Sequence, residues 1–341
     1  MSRDVAPPRI LLAFGRNALA TYYGASALAG LRRLGDVRLN ETDAALEGAA
    51  LFDAARGCDV IVSDRQTGGS AELFAACPQL AVFLRCAVDI RNVDIAAASA
   101  AGVLVTRASA GFATAVAEWV IGVTIDLSRG ISDSVLAYRG GAAPAIAMGR
   151  ELRGATLGII GYGQIGRRVA ELGLAFGMRV LASDPHARAA PPVETAPLDA
   201  LLVESDIVVC LAPALPETEN FMNAARFGAM KRGAFFVNAA RGNLVDEDAL
   251  LHALDSGALA GCAIDVGRAP DQMPSPKLAR HARVIATPHI GGLTPPATEH
   301  QALETVAQLA AILRGELPAG AVNAAQATRW RALAGPNRRE T

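Results

Sequence analysis

The stretch Leu157-Gly158-Ile159-Ile160-Gly161-Tyr162-Gly163-Gln164-Ile165-Gly166 decides the fold. A short apolar run reads as a strand, and Gly-x-Gly-x-x-Gly follows it at the start of a helical pattern. The first glycine permits the tight turn, the second lets a pyrophosphate approach the backbone, and the third lets helix and strand pack closely. Unpaired N–H groups and the positive end of the helix dipole then favour phosphate charge. The next strand-like run, Val180-Leu181-Ala182-Ser183, ends on Asp184, 23 positions beyond Gly161. A carboxylate there accepts hydrogen bonds from the adenosine ribose and repels a 2′-phosphate. Together these signals predict a dinucleotide site that prefers NAD to NADP, a preference tempered by nearby Arg188. A P-loop is excluded, because no Lys-Ser or Lys-Thr follows the glycines.

Outward from this motif, short apolar runs alternate with helical patterns. Strands are predicted at residues 10–14, 59–63, 80–85 and 103–106, then at 156–160, 179–183, 206–211, 234–238, 261–266 and 283–286. Continuous apolar runs suit parallel strands covered on both faces. The alternation predicts an α/β fold of two doubly wound parallel-sheet domains. A long helix is expected from about Thr114 to Ser134. The Gly- and Pro-containing stretch Tyr138–Arg153 and the segment Gly291–Pro296 are candidate boundaries. We expect the helix at 297–313 to return to the first domain. The division is then 1–113 with 295–341 around an inserted domain at 114–294.

Composition narrows the function. Lys plus Arg is 32 and Asp plus Glu 33 in 341 residues, for a net charge of −1, and the arginines are scattered. No basic face for nucleic acid is expected. Hydrophobic residues make up 52% and charged residues 19%, enough apolar material for two cores. The five cysteines, Cys58, Cys77, Cys86, Cys210 and Cys262, are widely spaced with no C-x-x-C. Neither a disulfide framework nor a metal site is expected, and a reducing cytoplasm is the default. No apolar run approaches the length of a membrane span or a signal-peptide core.

Further motifs then become recognisable: Val116-Ala117-Glu118, Met230-Lys231-Arg232-Gly233, Asn238-Ala239-Ala240-Arg241-Gly242-Asn243-Leu244-Val245-Asp246-Glu247, Asp265-Val266 and Thr287-Pro288-His289-Ile290-Gly291-Gly292. With the glycine fingerprint, they resemble the D-isomer-specific 2-hydroxyacid dehydrogenase family from roughly Pro78 to Asn323. The resemblance implies a Rossmann NAD-binding domain inserted into a flavodoxin-like substrate domain, a cleft between them, and a homodimer. It implies interconversion of a 2-hydroxy acid and its 2-keto acid by hydride transfer. Arg241 matches the family's catalytic arginine, whose planar fork can grip a carboxylate and polarise the adjacent keto group. His289 matches the acid/base, with an ordinary pKa near ~6.5 that allows proton transfer around neutrality. Asp265 matches the aspartate that faces the nicotinamide carboxamide; a buried structural carboxylate is the other reading. Pro213, Thr218 and Ala239 fall on segments that line the cofactor cleft.

The chain departs from the family at two places. The family's Glu-Pro after Asp-Val becomes Ala269-Pro270, so the glutamate that keeps the histidine protonated is missing. Three readings follow: Asp271 reaches the histidine instead; the enzyme works with a histidine of lower pKa and an acid-side optimum for reduction; or turnover is lost and cofactor binding retained. The second departure lies in the loop whose amides meet the substrate carboxylate, here Ala87-Val88-Asp89 before Ile90-Arg91-Asn92. Asp89 stands where the family has glycine. It either faces the substrate, repelling a simple 2-keto acid, or turns outward and pairs with Arg91. Two alternatives to the dehydrogenase stand beside it: a formate-type dehydrogenase, and an NADH-sensing, corepressor-like interaction protein.

Overall fold

The computed structural model describes residues 6–334, apart from the side chain of Asp271. The chain forms two compact units: Met1–Gly111 with Thr294–Thr341, and Phe112–Leu293.

In the first unit, β1 (Arg9–Leu12), β2 (Asp36–Leu39), β3 (Val60–Ser63), β4 (Val82–Arg85) and β5 (Leu104–Arg107) form one sheet ordered β2-β1-β3-β4-β5. Every pairing is parallel. This is a flavodoxin-like order. Side chains alternate across the sheet. Ile10, Leu12, Val60, Val62, Val82 and Leu84 enter one core. Leu11, Ile61, Phe83 and Val105 enter the core on the other face. The helix Pro295–Leu313 lays Leu309, Ile312 and Leu313 into the first of these cores. The segment after it is fastened to β5. Buried Asn323 accepts a hydrogen bond from the Val105 amide at 2.9 Å and donates to the Val103 carbonyl at 2.9 Å and the Ser99 hydroxyl at 3.0 Å.

In the second unit, β6 (Thr156–Ile160), β7 (Arg179–Ser183), β8 (Glu194–Thr195), β9 (Ile207–Cys210), β10 (Ala234–Asn238), β11 (Leu259–Ile264) and β12 (Val284–Ala286) form a seven-stranded parallel sheet. Its order is β12-β11-β10-β9-β6-β7-β8. From β6 the chain builds outward through β7, then returns to build the other way from β9. The crevice at the carboxyl ends of β6 and β9 is therefore the topological switch point, where such sheets take their ligands. Residues of β6, β9 and β10 are almost entirely buried, as their unbroken apolar runs require.

Three features differ from the expectation. β2 and β8 carry no continuous apolar run, because both are edge strands, β2 only partly covered and β8 exposed. The expected helix from Thr114 to Ser134 is two helices, Ala113–Arg129 and Ile131–Arg139. Gly130 breaks it at a left-handed φ of 62°. Asp126 then caps the second helix, accepting from the Ser132 amide at 2.8 Å and from its hydroxyl. The stretch Tyr138–Arg153 lies inside the second unit: its first two residues end the helix Ile131–Arg139, and the rest is a loop tied to the helix Ala113–Arg129 by the Arg150 amide on the Ser128 carbonyl at 2.8 Å.

Asn323 makes three bonds, two of them buried, with partners about 220 residues away. Asn323→Ala should therefore cost about 3 kcal/mol of stability by urea unfolding, while NADH affinity, a property of the other unit, stays unchanged.

Candidate active site

The glycine turn after β6 is as tight as its sequence demands. Gly161 has φ 95°, and a Cβ there would sit 2.7 Å from the Leu211 carbonyl group at the end of β9. A Cβ on Gly166 would sit 2.3 Å from the Gly161 carbonyl oxygen. A Cβ on Gly163 would meet nothing within 4 Å, so the turn is open on that side. Gly163 caps the helix Gln164–Ala175 without a side-chain bond, leaving the first-turn amides without helical acceptors. Open space, unpaired amides and a helix N-terminus fit a pyrophosphate. Tyr162 is buried, with the Arg167 guanidinium 4.6 Å from its ring centroid.

Asp184, at the end of β7, does more than the sequence reading assigned to it. Its Oδ2 accepts the Tyr162 amide at 2.7 Å, and its Oδ1 accepts the amides of His186 at 2.7 Å and Ala187 at 2.9 Å. Partial burial raises its pKa, but these three N–H bonds and the nearby His186 outweigh it, and the net shift is downward. A carboxylate has about four acceptor positions, so capacity for a ribose hydroxyl remains. The same side chain therefore shapes the glycine turn and keeps an acceptor position open.

The neighbouring loops come from the ends of β9, β10 and β12. After β9, the Thr218 hydroxyl accepts the Leu215 amide at 2.8 Å and donates to the Pro213 carbonyl at 2.9 Å, folding this loop on itself. After β10, buried Asn238 governs the turn through Ala239. Its amide group donates to the Arg241 carbonyl at 3.1 Å and accepts the Ala240 amide at 3.1 Å. Arg241 leaves the turn in extended conformation, with φ −150° and ψ 150°, half-buried. Gly242 behind it touches the backbone of Gly267, where a Cβ would come within 2.2 Å.

Asp265, just after β11, is 3% exposed. Its carboxylate accepts the Thr287 hydroxyl at 2.6 Å and the amides of Ile290 at 2.8 Å and Gly291 at 2.7 Å. Its carbonyl accepts the His289 amide at 2.9 Å. These bonds bracket His289, which is held at φ 56°. A non-glycine residue pays a backbone penalty there, and it persists because its surroundings over-determine it. These bonds give Asp265 a structural role, and a carboxylate that accepts three hydrogen bonds keeps an acceptor position for a further partner.

Arg268 anchors the segment where the family pattern fails. It pairs with Glu219 at 2.7 Å and donates to Asn220 Oδ1 at 2.6 Å and the Asn243 carbonyl at 3.1 Å. Three loops meet on one guanidinium. Ala269 stands in the glutamate's place, and the Asp271 side chain lies outside the described residues.

In the first unit, Ala87, Val88 and Asp89 form the loop after β4. Among the described residues, the amides of Ala87 and Val88 have no protein acceptor. The Asp89 carboxylate pairs with Arg91 through bonds of 2.7–3.1 Å. Of the two readings of Asp89, the pair with Arg91 is the one observed.

Known proteins agree with this architecture. The family model for the D-isomer specific 2-hydroxyacid dehydrogenase, NAD binding domain, matches residues 121–291. D-3-phosphoglycerate dehydrogenase 3 (chloroplastic) of Arabidopsis thaliana is 36% identical over 273 residues, 78% of this chain and 46% of that protein. The match thus spans about half the length of that relative. Hydroxypyruvate reductase of Thermotoga maritima is 33% identical over 275 residues, 80% of this chain and 90% of the relative. The crystal structure of a Thermus thermophilus protein superposes with a TM-score of 0.82 at 31% identity, covering 92% of this chain and 99% of that one. The chain belongs to the D-isomer-specific 2-hydroxyacid dehydrogenase family. Its second unit carries that family's Rossmann NAD-binding domain.

Asp184 supports two properties at once, so Asp184→Ala should weaken NADH binding by about tenfold or more and lower the melting temperature. Its carboxyl titrates below the usual value when folded. The stability it contributes is present above the unfolded pKa and lost as pH falls through the folded one. The difference in melting temperature between wild type and Asp184→Asn should accordingly shrink as pH falls below the usual carboxylate range.

Proposed function

We propose that the protein is an NAD-dependent oxidoreductase that interconverts a small 2-hydroxy acid and its 2-keto acid. The observation that carries this reading is the pair of built turns beside the dinucleotide crevice. One, governed by Asn238, carries Arg241, and the other, bracketed by Asp265, carries His289. Relatives with this architecture bear the names hydroxypyruvate reductase and glyoxylate reductase.

Bound NADH supplies the hydride that reduces C2 of the keto acid. Arg241 grips the substrate through its two-pronged fork and draws electron density from the carbonyl, which makes C2 more electrophilic. His289 gives its proton to the carbonyl oxygen as the alcohol forms, and takes it back in the oxidative direction. The amides of Ala87 and Val88 offer two donors of the kind a substrate carboxylate needs. Because Arg91 neutralises Asp89, that residue is no barrier to a simple 2-keto acid. Asp184 favours NAD over NADP through its charge. The five free, buried cysteines fit a reducing, cytoplasmic setting.

The test is NADH consumption with glyoxylate, hydroxypyruvate and phenylpyruvate. Arg241→Ala and His289→Ala should each lower kcat/KM by about 10²- to 10⁴-fold, with NADH affinity changed by no more than a few-fold. Wild-type protein that binds NADH yet reduces none of these acids would overturn the reading.

We further propose a homodimer formed through the helix Ile131–Arg139 and the loop after it. Leu136 and Tyr138 are 65% and 70% exposed, and Ile146 and Met148 are fully exposed. An apolar run of this extent, left to water, is characteristic of a partner surface. Light scattering should give a dimer mass for the wild type and a monomer mass for the Leu136→Glu/Ile146→Glu variant.

A further inference from the structure

At the base of the Ala87–Asp89 loop lies a charged side chain with no part in the mechanism above. Arg85, the last residue of β4, is 1% exposed. Its Nε donates to the Asp89 carbonyl at 3.0 Å. One terminal nitrogen donates to the carbonyls of Asp64 and Thr67, the latter at 2.9 Å, and lies 3.4 Å from the Ser63 hydroxyl. The other donates to the Arg65 carbonyl at 2.6 Å and to Asn92 Oδ1 at 2.7 Å. Asn92 in turn donates to the carbonyls of Arg65 and Gln66, both at 3.2 Å. The guanidinium thus joins the loop after β3 to the loop after β4.

We infer that Arg85 is a positioning residue that turns the Ala87–Val88 loop into an anion site. Its fork fixes the loop so that the two amides stay unpaired, and its charge sits beneath them. The inference rests on the carboxylate site proposed above and names the group that makes it work.

The physical case has three parts. A buried cation is costly unless its donors are satisfied, and here they are satisfied by neutral carbonyl, hydroxyl and amide oxygens. The two acids that bear on its charge, Asp64 and Asp89, are otherwise engaged. Asp64 Oδ1 accepts the amides of Gln66 at 3.1 Å and Thr67 at 2.7 Å, and the Asp89 carboxylate pairs with Arg91. A buried guanidinium thus stands at the base of a loop whose Ala87 and Val88 amides have no protein acceptor among the described residues, an arrangement that favours a bound anion. Finally, the acceptors come from two loops and are shared among all three nitrogens of the fork. Only a guanidinium matches this; a lysine ammonium keeps the charge but loses the fork.

The experiment compares Arg85→Lys, Arg85→Gln and Asn92→Ala with wild type. Oxalate is the probe, a dicarboxylate with the carboxylate geometry of a 2-keto acid. Its binding is measured by calorimetry, alongside steady-state kinetics with glyoxylate. NADH affinity and circular dichroism report folding.

Arg85→Gln should weaken oxalate binding and raise KM by about 10- to 100-fold, with kcat changed far less. Arg85→Lys, which loses the same fork but keeps the charge, should recover part of that loss. Asn92→Ala leaves the charge untouched and should raise KM by a few-fold. This variant keeps the test decisive if the Arg85 variants fail to fold.

The inference is overturned if oxalate does not bind the wild type. It is also overturned if folded Arg85→Gln binds oxalate as the wild type does, or if Arg85→Lys binds it no better than Arg85→Gln. Should the Arg85 variants not fold, unchanged KM in Asn92→Ala overturns it. Arg85-dependent oxalate binding without turnover of any 2-keto acid sinks the dehydrogenase reading and leaves the anion site standing. Turnover with Arg85-independent oxalate binding does the reverse.

Discussion

Backbone meets backbone at several glycines of the second unit, and two of these contacts join separate loops more closely than any side chain allows. Gly161 lies against the end of β9, and Gly242 lies against Gly267. The first contact draws the phosphate turn into the switch point of the sheet. The second seats the turn that carries Arg241 on the segment after β11. A methyl group at either position would push apart the elements whose proximity creates the site. The crevice depends on what these residues lack.

Polar anchors then hold what the glycines allow. Asp184, Asn238 and Asp265 each sit just beyond or at the end of a strand, and they bind the loops of Tyr162, Arg241 and His289 respectively. Their acceptors are spent largely on main-chain amides. Loops fixed this way resist the fluctuation that exposed connections otherwise show, so the side chains they carry stand on stiff supports. The first unit uses the opposite sign, with a cation, Arg85, collecting carbonyls from two loops.

Much of this was legible in the residues themselves. Strands covered on both faces announce themselves as apolar runs, and β3, β4, β9 and β10 did so. The dinucleotide turn was legible because its glycines answer a local steric demand. Edge strands β2 and β8 were not, because partly covered or exposed strands carry mixed sequences. The helix break at Gly130 was hidden by apolar periodicity on both sides of it. Among site residues, Arg241 and His289 stood out by motif. Asp265 was also named by motif, but its partners were not, and Arg85 was missed altogether, since most of their partners lie about 20 or more positions away and only the fold brings them near. The left-handed backbone of His289 left no trace either; it comes from bonds to Asp265 rather than from a local glycine.

The fastening of β5 by Asn323 has a consequence for how the chain matures. The inserted unit is continuous and has all its strands once residue 286 has been made. The first unit has all its strands by Arg107 and still is not closed: the amide of Val105 and the carbonyl of Val103 wait for a side chain synthesised about 220 residues later. Domains commonly complete themselves in the order they leave the ribosome. Here that order is inverted, and the first segment to emerge is the last to close.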